Sequence, residues 1–312
     1  YVADRVAIRP DFVIEAGLRA DGESYTPDGT HVLPRLNAGW AMTPSTSIRA
    51  AWGRFAQPQR VEELQVEDGL TTYAPAEMAT HAILGVDRRL VRGWSVRVET
   101  YEKQLSHVRP RFENLLDSMT FFPEIRGDRV RIAPSRGVAR GTELLLRRDG
   151  DGPWNGWLTF VRSSVRDEID GRMVPRSWDQ RNAIGFSLNY GYPERWNVNL
   201  AGTFHSGWPT TGLTGYTTPL SPTSFEFHPV PGPLNGDRLP AYSRVDLRAS
   251  RSIALASGHL NVFVDVLNLL NRANVSRVSF QINVDQKGNV TTVRHTTSIV
   301  PLLPSFGIAW QF

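Results

Sequence analysis

The chain has 312 residues, 40% of them hydrophobic and 21% charged, with 35 Lys and Arg against 31 Asp and Glu. The two signs are mixed along every segment with no basic block, so a pI near 9.6 does not point to nucleic acid, and none is expected as a partner. No uncharged apolar run of about 18 residues is present, which excludes a helical membrane span. The lack of cysteine excludes a disulfide scaffold, thiolate metal sites and a cysteine nucleophile.

In chain order, hydrophobic residues alternate with period two almost everywhere and hardly at all with the helical period. Thirteen strands are predicted, at about 1–9, 11–23, 32–43, 46–57, 77–91, 93–108, 136–149, 155–168, 179–191, 196–206, 242–255, 258–271 and 302–312. In "WSVRVETYEK", Trp94, Val96 and Val98 oppose Ser95, Arg97, Glu99 and Tyr101; in "YSRVDLRAS", Val245, Leu247 and Ala249 oppose Arg244, Asp246, Arg248 and Ser250. One face is apolar and the other charged, small or amide-bearing. The opening residues "YVADRVAIRP" carry no signal-peptide pattern and read as mid-strand.

The connections alternate in length. Short ones fall at Pro10, 43–45, 91–93, 150–154, 192–195 and 256–258, and long ones at 24–31, 58–76, 109–135, 169–178, 207–241 and 272–301. That alternation is the mark of an up-and-down antiparallel sheet whose two rims face different environments. Several strands are long enough to cross a bilayer when tilted. Trp94, Trp154, Trp157, Trp178, Tyr192, Trp196 and Tyr242 near strand ends suggest aromatic girdles, although strands favour bulky aromatics in any setting.

Signatures of covalent chemistry are weak. "DGDGPWNGWLTF" opens like a calcium loop with Asp149 and Asp151 but has Phe160 where a bidentate Glu is needed, so it reads as a tight turn. The seven histidines are scattered without metal-pair spacing, no nucleophile-elbow, phosphate-loop or dinucleotide glycine pattern occurs, and Glu62 and Glu63 read as solvated loop residues. No catalytic residue, metal or cofactor is expected. The long loops are better candidates for binding. In loop 207–241, Trp208, Tyr216, Phe225, Phe227 and His228 are candidate ligand contacts, with packing of the loop on itself as the alternative. In loop 109–135, Arg109, Arg111, Arg126, Arg129 and Arg131 favour an anionic ligand or lipopolysaccharide, or form a solvated surface.

The stretch 242–275, "YSRVDLRASRSIALASGHLNVFVDVLNLLNRANV", followed by "LPSFGIAWQF", resembles the last three strands of TonB-dependent outer-membrane receptors. Its carriers are the Y-x-R-x-D-L-R strand, the N-L-x-N element at Asn268, Leu269, Leu270 and Asn271, and the terminal aromatic. Upstream, "FVIEAGLRADG", "IRAAWGRFAQPQ", "GVARGTELLLRRD", "WDQRNAIGFSLNY" and "FHSGWP" match the family's strand motifs in order, so the resemblance covers nearly the whole chain and is strongest in the last seventy residues.

The resemblance implies an all-β, antiparallel, up-and-down transmembrane β-barrel in the outer membrane of a Gram-negative-type bacterium. Residues 1–312 would be the C-terminal portion of a 22-stranded barrel, with the plug domain and first strands absent. The function implied is uptake of a scarce small molecule (siderophore, cobalamin, glycan or metal complex) with energy from the TonB complex, contacted through the missing N-terminal part. Outer-membrane lipid, lipopolysaccharide and the outer-membrane assembly machinery are the other implied partners. Phe306, Ile308, Trp310 and Phe312 match the family's C-terminal assembly signal. A passive porin-like channel is the alternative, and a soluble β-propeller or sandwich binding protein the more distant one.

Overall fold

The computed structural model describes residues 1–116, 125, 127–150, 152–191, 196–222 and 224–312. The strands, in chain order, are β1 (Val2–Arg9), β2 (Phe12–Gly22), β3 (Thr30–Thr43), β4 (Thr46–Gln57), β5 (Glu77–Arg89), β6 (Trp94–Ser106), β7 (Arg111–Asn114), β8 (Arg129–Ile132), β9 (Arg136–Arg148), β10 (Trp154–Ile169) and β11 (Arg172–Pro175). They continue with β12 (Asn182–Gly191), β13 (Trp196–His205), β14 (Pro209–Thr210), β15 (Leu213–Ser221), β16 (Ser224–Pro231), β17 (Asp237–Arg238), β18 (Tyr242–Leu255), β19 (Gly258–Leu267), β20 (Asn274–Val284), β21 (Val290–Ile299) and β22 (Leu303–Gln311). Two single 3₁₀ turns, Val61–Glu63 and Val66–Asp68, lie between β4 and β5.

Thirteen of these strands form one antiparallel meander in the order β1-β2-β3-β4-β5-β6-β9-β10-β12-β13-β18-β19-β22, with β11 folded back on the end of β10. They coincide, within a few residues at each end, with the thirteen read from periodicity. β1 and β22 are the edges, each paired on one side. A single continuous sheet is not the repeated blades of a propeller nor the two packed layers of a sandwich, so the soluble readings are set aside.

The pairing register carries the alternation across the whole wall. Gly17 lies beside Arg35, Asn37 beside Ala51, Gly85 beside Glu99, Glu99 beside Glu143, and Ser187 beside Ala201. The opposite face carries Leu18, Leu36, Leu84, Val98, Leu158, Leu188, Val264 and Ile308, all exposed. A cavity of about 370 Å³ on the polar face is lined by residues that include Arg5, Glu15, Asn37, Arg49 and Glu99. A soluble sheet would bury its apolar face and wet its polar one; here the apolar face is the exposed one, and lipid is the solvent that suits it.

On the polar face, charges are matched within the wall. Asp87 accepts ion pairs from Arg49, at 2.7 Å, and Arg97; Arg248 pairs with Asp265 at 3.1 Å. Asn199 donates to Asn189 at 2.7 Å, which donates to Asn155 at 3.0 Å. Where a glycine leaves a gap, an aromatic from the next strand covers it: the Tyr101 ring lies over Gly141 and the Phe263 ring over Gly307.

One rim of the apolar face carries a tryptophan girdle. Trp94, Trp154 and Trp196 open their strands at the short-turn end, and Trp40 and Trp310 sit at the same end of β3 and β22. Trp40 Nε1 donates to Asp11 and Trp310 Nε1 to the Ser257 carbonyl, so each indole keeps its body on the apolar side and its N–H at the turn. The girdle read from sequence is thereby corrected. Trp157 lies on the polar face beside Gly185, Trp178 lies in a long loop, and Tyr242 stacks on His205 at the opposite rim. Tyr192, Asp151 and Arg126 lie outside the described residues.

Candidate functional site at the long-loop rim

The long connections are not structureless. β7–β8, β15–β16 and β20–β21 are hairpins rising from the rim, and β14 pairs with β17 at the base of the longest loop. Period two in "NVSRVSFQINV" and "VTTVRHTTSI" marks β20 and β21, but their alternating residues are mostly polar and give no apolar face to read.

Buried polar side chains lock these loops together. Asp167, at the end of β10 and 1% exposed, accepts from Arg176 Nε at 2.7 Å and from Arg111 Nη2 at 3.0 Å. Arg111 also pairs with Glu113, which accepts from the Ser177 hydroxyl. Asn235 Nδ2 donates to the Pro175 carbonyl at 2.8 Å. Asp179, also 1% exposed, accepts from the Val165 N–H at 2.6 Å and pairs with Arg238, whose Nη1 donates to the Asp179 and Gly207 carbonyls. Three separate loops, 107–135, 170–181 and 206–241, are thus joined over the polar side of the wall. Each carboxylate sits among several donors, which is the condition for a buried charge to be tolerated.

The loop arginines are less free than sequence reading suggests. Arg109 pairs with Glu63 at 2.8 Å and Glu77 at 3.3 Å, and Arg129 Nε donates to Asp68 at 2.9 Å; Arg131 alone of the described four is exposed without such a pair. Glu63, read as solvated, is held by the Arg60 N–H at 2.9 Å and by Arg109. The Arg60 N–H first, and the Arg109 guanidinium after it, hold its carboxyl below the usual range.

Of the candidate ligand contacts, His228 stacks on Tyr216 with ring centroids 4.9 Å apart and meets Thr218 Oγ1 at 2.7 Å, all on the β15–β16 hairpin. The Phe227 ring covers Gly215. Phe225 reaches Gly288 at the tip of β20–β21, where Thr217 also donates to the Gly288 carbonyl, so the two hairpins touch. Trp208 is separate: it stacks on His205, 5.3 Å away, which stacks in turn on Tyr242. The five therefore form two groups, one on the hairpin and one at the rim, with Tyr216 the exposed member of the first. A cavity of about 780 Å³ lies against the wall below the rim, bordered by Tyr101, Gly141, Ser163 and Arg181 of the polar face and also by Glu102, Arg140, Thr142, Arg162 and Arg166. The buried residues Asp167, Asp179, Ser177 and Asn235 escape sequence reading: the first two fall inside the predicted strands 155–168 and 179–191, and nothing local distinguishes the other two from solvated loop residues.

At the C-terminal end, Asn268 and Asn271 both adopt positive φ, 52° and 46°, which asparagine tolerates. Asn268 Nδ2 donates to the Arg272 and Val300 carbonyls, and Asn271 Oδ1 accepts from the Leu302 N–H. The N-L-L-N element is therefore a turn that ends β19 at Leu267 and ties the base of the last hairpin to the start of β22. Residues 268–271 lie outside the strand drawn for them from sequence.

The family described as TonB dependent receptor-like, beta-barrel matches residues 1–269. The chain belongs to the TonB-dependent receptor β-barrel family. This family comprises transporters and receptors rather than enzymes, and its barrels lie in the outer membrane of Gram-negative bacteria. The match ends within the N-L-L-N element, before the terminal strand.

Solved structures share the fold. The ferripyoverdine receptor of the Pseudomonas aeruginosa outer membrane, bound to ferripyoverdine, is 15% identical with a TM-score of 0.61, over 99% of this chain and 38% of its own. The outer membrane transporter YddB from Escherichia coli is 13% identical with a TM-score of 0.62, over 95% and 43%. The FrpB iron transporter from Neisseria meningitidis is 15% identical with a TM-score of 0.59, over 96% and 43%. The chain thus spans about two-fifths of the length of these TonB-dependent receptor structures. No curated protein matches it in sequence.

Proposed function

We propose that this chain is the C-terminal portion, residues 1–312, of a receptor that takes up a scarce small ligand across the outer membrane with energy passed from the TonB complex. The plug domain and the remaining strands would belong to the rest of the protein, with those strands pairing with the edges of β1 and β22. The observation that carries this reading is the pairing of a wall with one polar face and a loop crown joined by Asp167 and Asp179. A passive pore needs the wall but not a crown fixed over it. Trp208, Tyr216, Phe225, Phe227 and His228 are the proposed ligand-contacting group, with Tyr216 and Trp208 presenting rings to a cargo.

The test is uptake by cells carrying the intact receptor, measured with ferric siderophores and cobalamin, with and without TonB. TonB-dependent accumulation is expected, together with no sugar flux through the purified protein in liposome swelling. Free sugar flux would favour the porin alternative. The long loops are proposed to be extracellular, so a tag at 222 or 288 is labelled on intact cells, and labelling at 256 instead refutes the orientation.

Phe306, Ile308, Trp310 and Phe312 are proposed to be read by the outer-membrane assembly machinery. All four are exposed, and Phe306, Ile308 and Trp310 share the apolar face of β22 with Val264, Val262 and Leu260 of β19. Phe312→Ser is expected to lower the assembled, heat-modifiable form, and normal outer-membrane levels of that variant would refute the role.

A further inference from the structure

Ion pairs such as Arg49–Asp87 and Arg248–Asp265 neutralise charge on the polar face, but in one row that matching lapses. The register sets Arg35 of β3, Gly53 of β4, His81 of β5 and Lys103 of β6 side by side. Thr30, Gln57, Glu77 and Ser106 are the long-loop ends of those strands, so the row runs three to five residues inside them, about 10–17 Å below the rim. Among the described residues no carboxylate pairs with Arg35 or Lys103. The acidic groups around the row are engaged elsewhere: Glu77 with Arg109, Asp28 with His31, and Glu15 with Asn37 Nδ2 at 3.3 Å. Glu99, with Glu143 beside it, lies four residues of strand from Lys103, about 13 Å.

Aromatic faces, not counter-ions, hold this row. The Phe55 ring fills the space over Gly53, where an added Cβ would meet it at 3.3 Å. From β3 the Arg35 guanidinium lies over that ring, 4.8 Å from its centroid, and from β5 the His81 ring packs on it at 4.5 Å. Lys103 Nζ lies 5.8 Å from the centroid of Tyr101. An aromatic face fixes a cation without neutralising it and leaves the N–H edge of a guanidinium free to donate. Arg35 Nε is buried and has no hydrogen-bond partner, a cost that an incoming acceptor removes. The next row toward the short turns, Asn37, Ala51 and Ile83, lines the cavity of about 370 Å³, a volume suited to a small ligand.

We infer that the cargo of this receptor is a small organic anion, and that Arg35, His81 and Lys103 bind its paired anionic oxygens, carboxylate or catecholate, beside that cavity. Arg35 supplies a fork of N–H donors for a bidentate contact, Lys103 a mobile point charge and His81 a ring N–H. Phe55 and Tyr101 position the two cations. The inference rests on the transport reading proposed above and narrows it, because neutral glycans and cobalamins lack the charge that this row selects.

The test is equilibrium dialysis of the intact receptor in mild detergent against ferric citrate and a ferric tris-catecholate, both anionic, and against a ferric tris-hydroxamate and cyanocobalamin, both uncharged. At least one anionic probe is expected to bind, and neither uncharged probe to match it; which anion binds decides between carboxylate and catecholate oxygens. R35Q/K103Q should weaken that binding about a hundredfold, tenfold for each charge-assisted contact. Added salt should weaken it more in the unaltered receptor than in the variant. R35K should keep part of the affinity, since the charge survives and the fork does not, and R251Q, exposed near the short-turn end of β18, should leave it unchanged. If the double variant fails to assemble, R35Q and K103Q are read singly. Failure of both anionic probes to bind overturns the inference, as does an uncharged probe bound as tightly or unchanged affinity in the glutamine variants. Variants that lower the unfolding temperature but leave anion affinity intact would assign the row to carboxylates from the rest of the protein, and would overturn it too. Uptake is read separately: anion binding without TonB-dependent accumulation sinks the transport reading and leaves the anion site standing.

Discussion

The wall and the crown of this molecule are held together by opposite means. In the wall, apolar side chains face outward and stay exposed, as Leu158, Leu188 and Ile308 do, while the strands are joined by their ladders and by small inward residues. In the crown, the buried side chains are largely polar: Asn114, Asp167, Ser177, Asp179, Thr211, Asn235 and Asn268 are each nearly inaccessible. The wall thus depends on a solvent it does not supply, and the crown on internal donors and acceptors. Substitutions of the same chemical size should therefore act differently in the two regions.

The largest effect is expected at Asp167. Replacing it with Asn leaves Arg111 and Arg176 half-buried or buried without their shared carboxylate, a loss of about 3–5 kcal/mol for breaking a buried ion pair. The loss should be local. Hydrogen exchange in residues 107–116 and 170–181 should quicken while the heat-modifiable migration of the barrel is unchanged. If the wall amides of β10 and β12 quicken equally, the crown is not a separable unit and the comparison fails.

The wall offers the converse test at two adjacent positions. Leu158 points to lipid and Thr159 to the polar side, where its hydroxyl donates to the Gly185 carbonyl. Leu158→Arg is expected to cost about 2–4 kcal/mol if the position lies near the bilayer midplane, and Thr159→Arg far less, since lumen substitutions alter selectivity more than stability. Urea unfolding in lipid vesicles, followed by tryptophan emission, measures both. Equal costs would mean that the two faces are misassigned.

This contrast also explains what could be read from sequence. The thirteen wall strands are legible because each has a face that lipid must cover and a face that it must not, and that requirement prints period two along every strand. Errors gather where the requirement ends. Residues 179–181 continue the alternation before β12, yet Asp179 is drawn into the crown by Arg238. Residues 268–271 continue β19 in composition, yet Asn268 turns the chain because its amide bonds Arg272 and Val300. The crown itself is nearly illegible: Asp167 pairs with an arginine 56 residues away, and a contact of that range leaves no local pattern. Aromatic candidates such as Trp208 and Tyr216 stand out by composition, but composition does not say that they fall into two groups.

The smallest effect is a matter of pH, and it reports on the crown alone. Glu63 has its carboxyl held below the usual range by the Arg60 N–H and then by Arg109, while remaining partly open to water. A depressed folded pKa contributes stability that is present above the unfolded value, about 4.3, and is lost as the pH falls through the folded value. Loop 58–76 should therefore stay protected from proteolysis near neutrality and loosen in acid below the ordinary carboxylate range, with Arg109 losing one of its two partners. Glu63→Gln should loosen the loop at pH 7 and remove Glu63's share of the acid response, and Glu62→Gln, at the exposed neighbour, should change neither. The barrel wall should show no corresponding step. A transition of the wall at the same pH would mean that loop 58–76 supports the sheet beneath it, which would erase the distinction between the two regions on this side of the molecule.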